Sequence, residues 1–175
     1  MTAHIRLLGF LVLAAPLLSF ADARAFDGHR QGFVLGFGAG PGYLDFAQFN
    51  ENTIGVQTDF KLGVGLNDRT ILHYTGKQIW HYDNSIAYTE ALPMLGLTRY
   101  MKPESPSFFV SGGGGVGFLA LFADDIGGGN FGPATYLGGG YEFARHWGVE
   151  LGVAATWAEE ATLYNAYLTF NLLGY

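Results

Sequence analysis

The chain has 175 residues, with 9 basic and 15 acidic side chains, 27 glycines and no cysteine. Only 14% of its residues are charged and 16% are aromatic, whereas about 25% of residues are charged in soluble domains. The length suits one domain, and the lack of cysteine excludes disulfides, thiolate metal sites and a lipid-modified cysteine. The acidic balance argues against nucleic acid as a partner, because phosphate binding needs a basic surface.

The first 25 residues have the layout of a secretory signal peptide. Arg6 precedes a short apolar run, and small residues at 21, 23 and 25 provide two cleavage sites. A membrane anchor is the alternative, but the run is short for a spanning helix and the cleavage pattern opposes it. We therefore expect 1–25 to be cleaved and 26–175 to form the domain. Cleavage removes Arg6, Arg24 and Asp22, which leaves 7 basic and 14 acidic residues and a net charge of −7.

Apolar residues recur at every second position in several segments of the mature chain. The alternation is clear in 31–40, 56–66, 147–157 and 164–172. One face of each segment is apolar and the other is glycine or polar, which is typical of β-strands. Four further segments show a weaker alternation, and we also interpret them as strands: 70–78, 87–100, 107–120 and 133–144. Pro93 cannot donate to a ladder, so we predict a β-bulge there.

The connections between these eight strands alternate in length. The connections 41–54 and 121–132 are long, 79–86 and 158–162 are intermediate, and 66–69, 101–106 and 144–146 are short. Long outer loops that alternate with short periplasmic turns are the pattern of outer-membrane barrels, and an even strand number places both termini in the periplasm. The sequence therefore predicts an all-β fold, a closed eight-stranded antiparallel up-and-down transmembrane β-barrel.

The polarity of the strand faces distinguishes this barrel from a soluble barrel or sandwich, in which the apolar face would point inward. Here the face opposite the apolar stripe carries charges, and the apolar stripe ends in aromatic residues, as at a membrane–water interface. We therefore predict that the apolar face meets lipid and that the charged face lines the lumen. The predicted interface aromatics are Tyr43, Trp147, Trp157 and Tyr164.

Charged residues on the predicted inner face suggest either a side-chain network that fills the lumen or a polar path for ions. The interior of an eight-stranded barrel is just wide enough for side chains, which favours a network without conduction. Buried charges must be paired, and Lys77 and Arg99 are further candidate cations. Inward glycines make room for bulky side chains or, alternatively, leave a hollow for a small apolar ligand. The predicted lumen charge network is Asp59, Lys61, Glu90, Glu142 and Glu150.

The two rims of the predicted barrel differ in charge. The outer loops are acidic and contain no lysine or arginine, whereas the periplasmic side is basic. The acidic residues either solvate the loops or bind divalent cations that bridge to anionic lipopolysaccharide, or they attract a basic partner. The acidic outer-loop patch comprises Asp45, Glu51, Asp83, Asp124, Asp125, Glu159 and Glu160, and the basic side comprises Arg30, Arg69, Lys102, Arg145 and His146.

Four sequence segments, together with the signal peptide, resemble the small outer-membrane β-barrel proteins, a group that includes the OmpA transmembrane domain, OmpX and OmpW. The segments are GFVLGFGAGPGY, LGLTRYMKPESPSFFVSGGGGVGF, GGGYEFARHWGVELG and YNAYLTFNLLGY. The resemblance is one of pattern over the whole mature chain. In such proteins the last strand usually ends in Phe and is recognised by the barrel-insertion machinery. The resemblance implies that Phe170, Leu172 and Tyr175 form this insertion signal, with Tyr175 in place of the usual Phe.

The members of this group include structural tethers, adhesins, narrow channels and lipid-modifying enzymes, so the resemblance leaves the function open. We expect a non-enzymatic structural or surface-interaction role without a cofactor. The alternatives are a narrow channel or carrier for small apolar ligands and, third, a lipid-modifying enzyme. The expected partners are outer-membrane lipid, lipopolysaccharide, the insertion machinery and divalent cations at the outer loops.

Two histidine pairs are candidates for a catalytic or a metal site. His73 and Thr75 share a strand face and are similar to the His-x-Ser pattern of the outer-membrane lipid A deacylases. However, the hydroxyl residue here is threonine, and His73 is predicted to face away from lipid, so a triad is not expected. His81 and Asp83 offer two ligands, which are too few for a protein-built zinc site. The sequence therefore predicts no catalytic or metal site.

Overall fold

The computed structural model describes residues 28–47, 51–83, 86–122, 130–158 and 162–175. Each strand pairs antiparallel with its neighbours in the sequence, and the last strand pairs with the first to close the barrel. The predicted fold is therefore confirmed. The strands are β1 (Gly32–Phe46), β2 (Glu51–Asn67), β3 (Thr70–Asp83), β4 (Ile86–Tyr100), β5 (Ser107–Phe122), β6 (Asn130–Ala144), β7 (Trp147–Trp157) and β8 (Thr162–Gly174). Within the described ranges, no helix is long and apolar enough to cross a membrane.

The two ends of the barrel differ in their connections. Two-residue turns join β2 to β3 at Asp68–Arg69 and β6 to β7 at Arg145–His146, and His146 adopts a left-handed φ of 72°. A register shift lies beside each turn, next to Asn67 and next to Ala144. We call this end, where β1 also begins and β8 ends, the turn end, and the opposite end the loop end.

The strands continue further towards the loop end than the alternation predicts. β1 and β2 remain paired as far as Phe46 and Glu51, so most of the predicted loop 41–54 is strand. The predictions that placed Asp45, Glu51 and Asp83 in loops are therefore wrong, because all three lie in strands. The alternation of apolar and polar residues marks only the part of a strand that has one apolar and one polar face. Backbone hydrogen bonds extend the strand beyond that part.

The predicted bulge at Pro93 is also wrong. Pro93 pairs with Gly76 of β3 in an unbroken register. Its pairing with β5 is interrupted between Ala91 and Met94 and then resumes in the same register. The missing N–H therefore removes ladder bonds without adding a residue to the strand.

Along each strand, charged or polar side chains are buried and apolar side chains are exposed, which is the reverse of the pattern in soluble proteins. In β7, the Glu150 side chain is fully buried at 0% exposure, whereas the next residue, Leu151, is 65% exposed. The interior also holds Asp59 and Lys61, while Phe37 is 55% exposed on the outer wall. Charged residues are rarely buried and large contiguous apolar surfaces are rarely exposed in water-soluble proteins. The barrel wall is therefore suited to an apolar medium.

Candidate functional site: the barrel lumen

Four charged side chains meet in the middle of the lumen, and we call them the central cluster: Asp59, Lys61, Lys77 and Glu150. Lys61 Nζ lies 2.6 Å from Glu150 Oε2 and 3.6 Å from Asp59 Oδ2. Lys77 Nζ lies 2.7 Å from Asp59 Oδ2 and 3.2 Å from Glu150 Oε1. Each lysine thus contacts both carboxylates, and the two positive and two negative charges balance.

Neutral side chains complete the hydrogen bonds of the central cluster. Thr75 Oγ1 donates to Asp59 Oδ1 over 2.7 Å, and the Tyr167 hydroxyl donates to Glu150 Oε1 over 3.0 Å. Lys77 Nζ also lies 4.2 Å from the centroid of the Tyr167 ring. Buried charges are stable only when paired and hydrogen-bonded. The cluster meets both conditions, and its side chains connect β2, β3 and β7 across the lumen.

A second polar assembly closes the turn end, and it is centred on Arg30. This side chain precedes β1 and is only 1% exposed. Arg30 Nη2 lies 2.9 Å from Glu142 Oε1, and Arg30 Nε donates to Glu142 Oε2 over 3.3 Å. Arg30 Nη1 donates to the carbonyl oxygens of Asp68, Lys102 and Pro103 at 3.0, 3.0 and 2.7 Å. One guanidinium therefore ties the β2–β3 and β4–β5 connections to β6.

Two tyrosines and a serine complete this assembly, which we call the Arg30 plug. Its members are Arg30, Glu142, Tyr100, Ser105 and Tyr175. The Arg30 guanidinium carbon lies 3.8 Å from the Tyr100 ring centroid and 5.5 Å from that of Tyr175. The Tyr175 hydroxyl donates to Glu142 Oε1 over 2.9 Å, and the Ser105 hydroxyl contacts the same oxygen.

The electrostatics of the plug favour a permanently charged Arg30. Burial lowers the pKa of Arg30, but the hydrogen bonds and charge of Glu142 outweigh it and hold the pKa above its ordinary value. Burial and the Glu142 carboxylate also raise the pKa of Tyr175. Tyr175 therefore remains protonated and able to donate at ordinary pH.

A small cavity of about 30 Å³ touches both the central cluster and the Arg30 plug. A water molecule needs roughly 10–15 Å³ of such space, so the cavity has room for about two. His73 borders it and hydrogen-bonds Thr98 Oγ1 through Nε2 at 2.9 Å, while His73 Nδ1 is buried without a hydrogen-bond partner.

The structure separates the five residues of the predicted lumen charge network. It brings Asp59, Lys61 and Glu150 together. Glu142 lies in the Arg30 plug, and Glu90 lies in the loop-end half without an ion pair to the other four residues. The prediction of one network is therefore wrong. Period-two alternation identifies the face on which a residue lies, but it does not give the depth of that residue along the barrel axis.

Two arginines differ from their expected positions. Arg99, a candidate lumen cation, is exposed on the outside and contacts the Thr70 hydroxyl. The sequence predicts Arg30 only as part of a basic rim, yet this residue is the centre of the plug. No local pattern marks Arg30, because its partners are distant in sequence, such as Glu142, 112 residues away.

The outward-facing aromatics and the last strand can also be compared with the predictions. The four interface aromatics all lie on the outer wall, with Trp157 46% exposed. Phe170 and Leu172 share this wall, but Tyr175 is buried at 1% exposure. Tyr175 follows Leu172 by three positions, an odd number, so it faces the lumen rather than sharing the outer face. The four aromatics are Tyr43, Trp147, Trp157 and Tyr164.

The remaining candidates are only partly described. Asp45 lies near the loop end of β1 and is half-buried. Asp124, Asp125, Glu159 and Glu160 lie outside the described residues, as do the side chains of Glu51 and Asp83. Arg69, Lys102, Arg145 and His146 lie in turns at the turn end. Across the described part of the chain, no group of three or more His, Cys, Asp or Glu side chains could hold a metal ion.

Of the two histidine pairs, only His73 and Thr75 have both side chains described. His73 and Thr75 both point into the lumen, and the Thr75 hydroxyl is engaged by Asp59. His81 Nδ1 lies 3.3 Å from Thr53 Oγ1 in the loop-end half.

Comparisons with known proteins give the fold alone. Neither protein-family models nor curated protein sequences match the chain. Among solved structures, the attachment invasion locus protein Ail of Yersinia pestis, in complex with the heparin analogue sucrose octasulfate, aligns with a TM-score of 0.59 at 10% identity, covering 82% of this chain and 99% of Ail. Neisserial surface protein A aligns with a TM-score of 0.57 at 9% identity, covering 80% and 96%.

The outer membrane protein OprG of Pseudomonas aeruginosa aligns with a TM-score of 0.51 at 13% identity, covering 85% of this chain and 97% of OprG. All three alignments span nearly the whole of the known barrel. The chain therefore has the fold of the small eight-stranded outer-membrane β-barrel proteins.

Proposed function

We propose that this protein is an outer-membrane β-barrel with a structural or surface-interaction role, and that its lumen does not conduct ions. The observation that carries this proposal is the closure of the lumen at two successive levels, by the central cluster and by the Arg30 plug. Its turn end faces the periplasm and its loop end faces outward, as in barrels with short periplasmic turns.

The outer wall supports insertion in a membrane. A closed barrel pairs every strand edge, which a hydrocarbon environment requires. Leucine and phenylalanine side chains cover the middle of the wall, and tryptophan and tyrosine lie near its ends, as Leu151 and Trp157 illustrate. The solved barrels that align include proteins described as an attachment invasion locus protein and a surface protein, which supports a role at the cell surface.

The two closures act in series. An ion crossing the central cluster would have to separate Lys61 from Glu150, a contact of 2.6 Å in a buried setting. It would then meet Arg30, whose donors are engaged by Glu142 and by backbone carbonyls. Breaking one partner from a buried ion pair costs several kcal/mol. Each level therefore opposes the passage of an ion independently of the other.

Planar-bilayer recording tests this proposal directly. We expect no single-channel conductance from the wild-type barrel or from Arg30→Ala, because the central cluster still closes the lumen of that variant. A shift in gel mobility on heating would show that both proteins are folded. Steady conductance of the wild-type protein would overturn the proposal and favour a narrow channel.

The absence of enzymatic activity belongs to the same proposal and needs its own test. The Thr75 hydroxyl lies inside the lumen and is hydrogen-bonded to Asp59, so it is not placed to attack a lipid acyl chain outside the wall. Overexpression should therefore leave the mass of lipid A unchanged. A mass change that Thr75→Val abolishes, with the barrel still folded, would instead identify a lipid-modifying enzyme.

A further inference from the structure

Arg99 is the one basic residue within the described strands whose side chain faces outward. Lys61 and Lys77 point into the lumen, and the remaining described basic residues precede β1 or lie in the connections between strands. An arginine on the outer wall of a membrane barrel is unfavourable in the middle of the wall and is tolerated near the interface. Arg99 is the second-last residue of β4, so it lies where the wall meets the turn end.

A second arginine lies beside Arg99 across the β3–β4 pair. Arg99 is the register partner of Thr70, whose hydroxyl contacts the Arg99 guanidinium. The residue before Thr70 is Arg69, and its carbonyl oxygen accepts a hydrogen bond from the Tyr100 N–H over 2.7 Å. The two arginines are therefore on adjacent rows of the strand pair, and both side chains are exposed.

Neither arginine forms an ion pair with an acidic side chain of the described residues. Asp68, which precedes Arg69 in the chain, has other contacts. Asp68 Oδ1 lies 3.5 Å from His29 Nδ1, and Asp68 Oδ2 accepts a hydrogen bond from Gln31 Nε2 over 3.0 Å. Thr70 offers Arg99 a neutral oxygen, which does not balance its charge. Two positive charges without a described counter-ion therefore lie at this edge of the wall.

An apolar strip, which we call the β3–β4 seam, extends from these charges towards the middle of the wall. Its outward-facing side chains form two successive register pairs and are 41–67% exposed: Leu72 with Leu97, and Tyr74 with Leu95. The next pair is Gly76 with Pro93. A Cβ added at Gly76 would meet only the Tyr74 ring, at 3.8 Å, so the seam is open at this position.

The length of the β3–β4 seam matches one leaflet of a membrane. Arg99 and Pro93 are six residues apart on β4, which is about 20 Å along a strand at roughly 3.3 Å per residue. At a tilt of about 45°, this distance corresponds to about 14 Å along the membrane normal, or about half of the ~30 Å hydrocarbon core. An acyl chain in the seam would therefore place its headgroup phosphate beside the arginines.

We propose that Arg99, Thr70 and Arg69 bind the phosphate of an anionic glycerophospholipid in the periplasmic leaflet, with one acyl chain along the β3–β4 seam. Guanidinium groups bind phosphate oxygens through paired, charge-assisted hydrogen bonds. An anionic headgroup is favoured over a zwitterionic one, because the zwitterionic lipid would bring its own ammonium group next to two arginines. The site rests on the proposed insertion in the membrane with the turn end in the periplasm.

Native mass spectrometry of the folded barrel in neutral detergent micelles measures this binding. Phosphatidylglycerol is titrated, and phosphatidylcholine, which has a phosphate but no net charge, is the comparison lipid. We expect the barrel to retain phosphatidylglycerol at the lower concentration. Because one arginine near a membrane surface strengthens the binding of anionic lipid about fivefold, Arg99→Gln should weaken phosphatidylglycerol binding about fivefold, and the double variant with Arg69→Gln about 25-fold.

Two further variants test the position of the lipid. Arg145→Gln removes an exposed arginine at the same end, but β6 is two strands from β4, about 10 Å away. Salt screens charges at that distance, so this matched control should bind phosphatidylglycerol as the wild type does. Gly76→Leu fills the open part of the seam and should weaken the binding of both lipids.

Several outcomes would overturn the lipid site. They are equal retention of the two lipids by the wild type, equal losses in Arg145→Gln and Arg99→Gln, unchanged binding in Gly76→Leu, and displacement of phosphatidylglycerol by inorganic phosphate at constant ionic strength. A barrel that does not insert into lipid vesicles, judged by the heat-dependent shift in gel mobility, would overturn the proposed membrane role and this site with it. In a barrel that inserts, the outcomes above overturn the lipid site alone.

Discussion

The two halves of the lumen differ in whether their buried acidic residues are paired with basic ones. From the central cluster to the turn end, acids and bases are matched, with Lys61 and Lys77 against Asp59 and Glu150, and Arg30 against Glu142. In the loop-end half, no lysine or arginine of the described residues forms an ion pair with Glu90, and Leu44, Ile79 and Leu163 form a buried apolar group. The half at the turn end therefore carries its own counter-ions, whereas the acid in the loop-end half has no counter-ion among the described side chains.

The strongest test of this contrast removes one carboxylate from each half. Glu150→Gln leaves two buried lysines facing Asp59 alone, so we expect a loss of about 3–5 kcal/mol in the free energy of unfolding. Glu90→Gln removes a carboxyl group that forms no ion pair with a described basic side chain and keeps an oxygen for the Thr156 hydroxyl, so we expect no loss. Urea unfolding in lipid vesicles, followed by tryptophan fluorescence, measures both. Equal losses for the two variants would contradict the contrast.

A smaller effect is expected at the Arg30 plug. Arg30→Met leaves Glu142 buried, but the Tyr175 and Ser105 hydroxyls still contact its carboxylate. We therefore expect a loss of about 1.5–3 kcal/mol in unfolding free energy, as for hydrogen bonds to charged groups, measured by the same urea titration.

The double variant Arg30→Met with Glu142→Gln sharpens this prediction. Removing both partners of a buried ion pair costs much less than removing one. The double variant should therefore be more stable than Arg30→Met alone. If it is less stable, Arg30 stabilises the plug mainly through the carbonyls of Asp68, Lys102 and Pro103.

The sequence predicts the faces of the barrel better than it predicts the partners inside it. Glu90 and Glu150 are both inward-facing acids in alternating segments, and nothing local distinguishes them. Their difference follows from register, because Glu150 lies beside Gly140 of β6, whereas Glu90 lies beside Ile79 of β3. The depth of a residue along the barrel axis depends on the register between all eight strands. Periodicity within a single strand gives no information about that register.

The plug shows a second limit of sequence reasoning. Arg30 lies just before the first alternating segment, so periodicity assigns it no face, and its partners lie in two turns and in β6. By contrast, the spacing of Tyr175 from Leu172 is visible in the sequence. Because this spacing of three residues is odd, it predicts that Tyr175 faces the lumen when Leu172 faces outward.

The last expected effect concerns the inward glycines, which the sequence predicts either to make room for bulky side chains or to leave a hollow. A Cβ at Gly152 would overlap the Tyr167 ring that supports the central cluster. Gly152→Ala should therefore cost about 1–3 kcal/mol by overpacking. Gly114→Ala is the matched control on the outer wall, where the nearest atom to an added Cβ is a carbonyl oxygen at 3.4 Å. Its change should stay within about 0.5 kcal/mol in the same urea titration, and a comparable loss at both positions would show that Tyr167 is free to move aside.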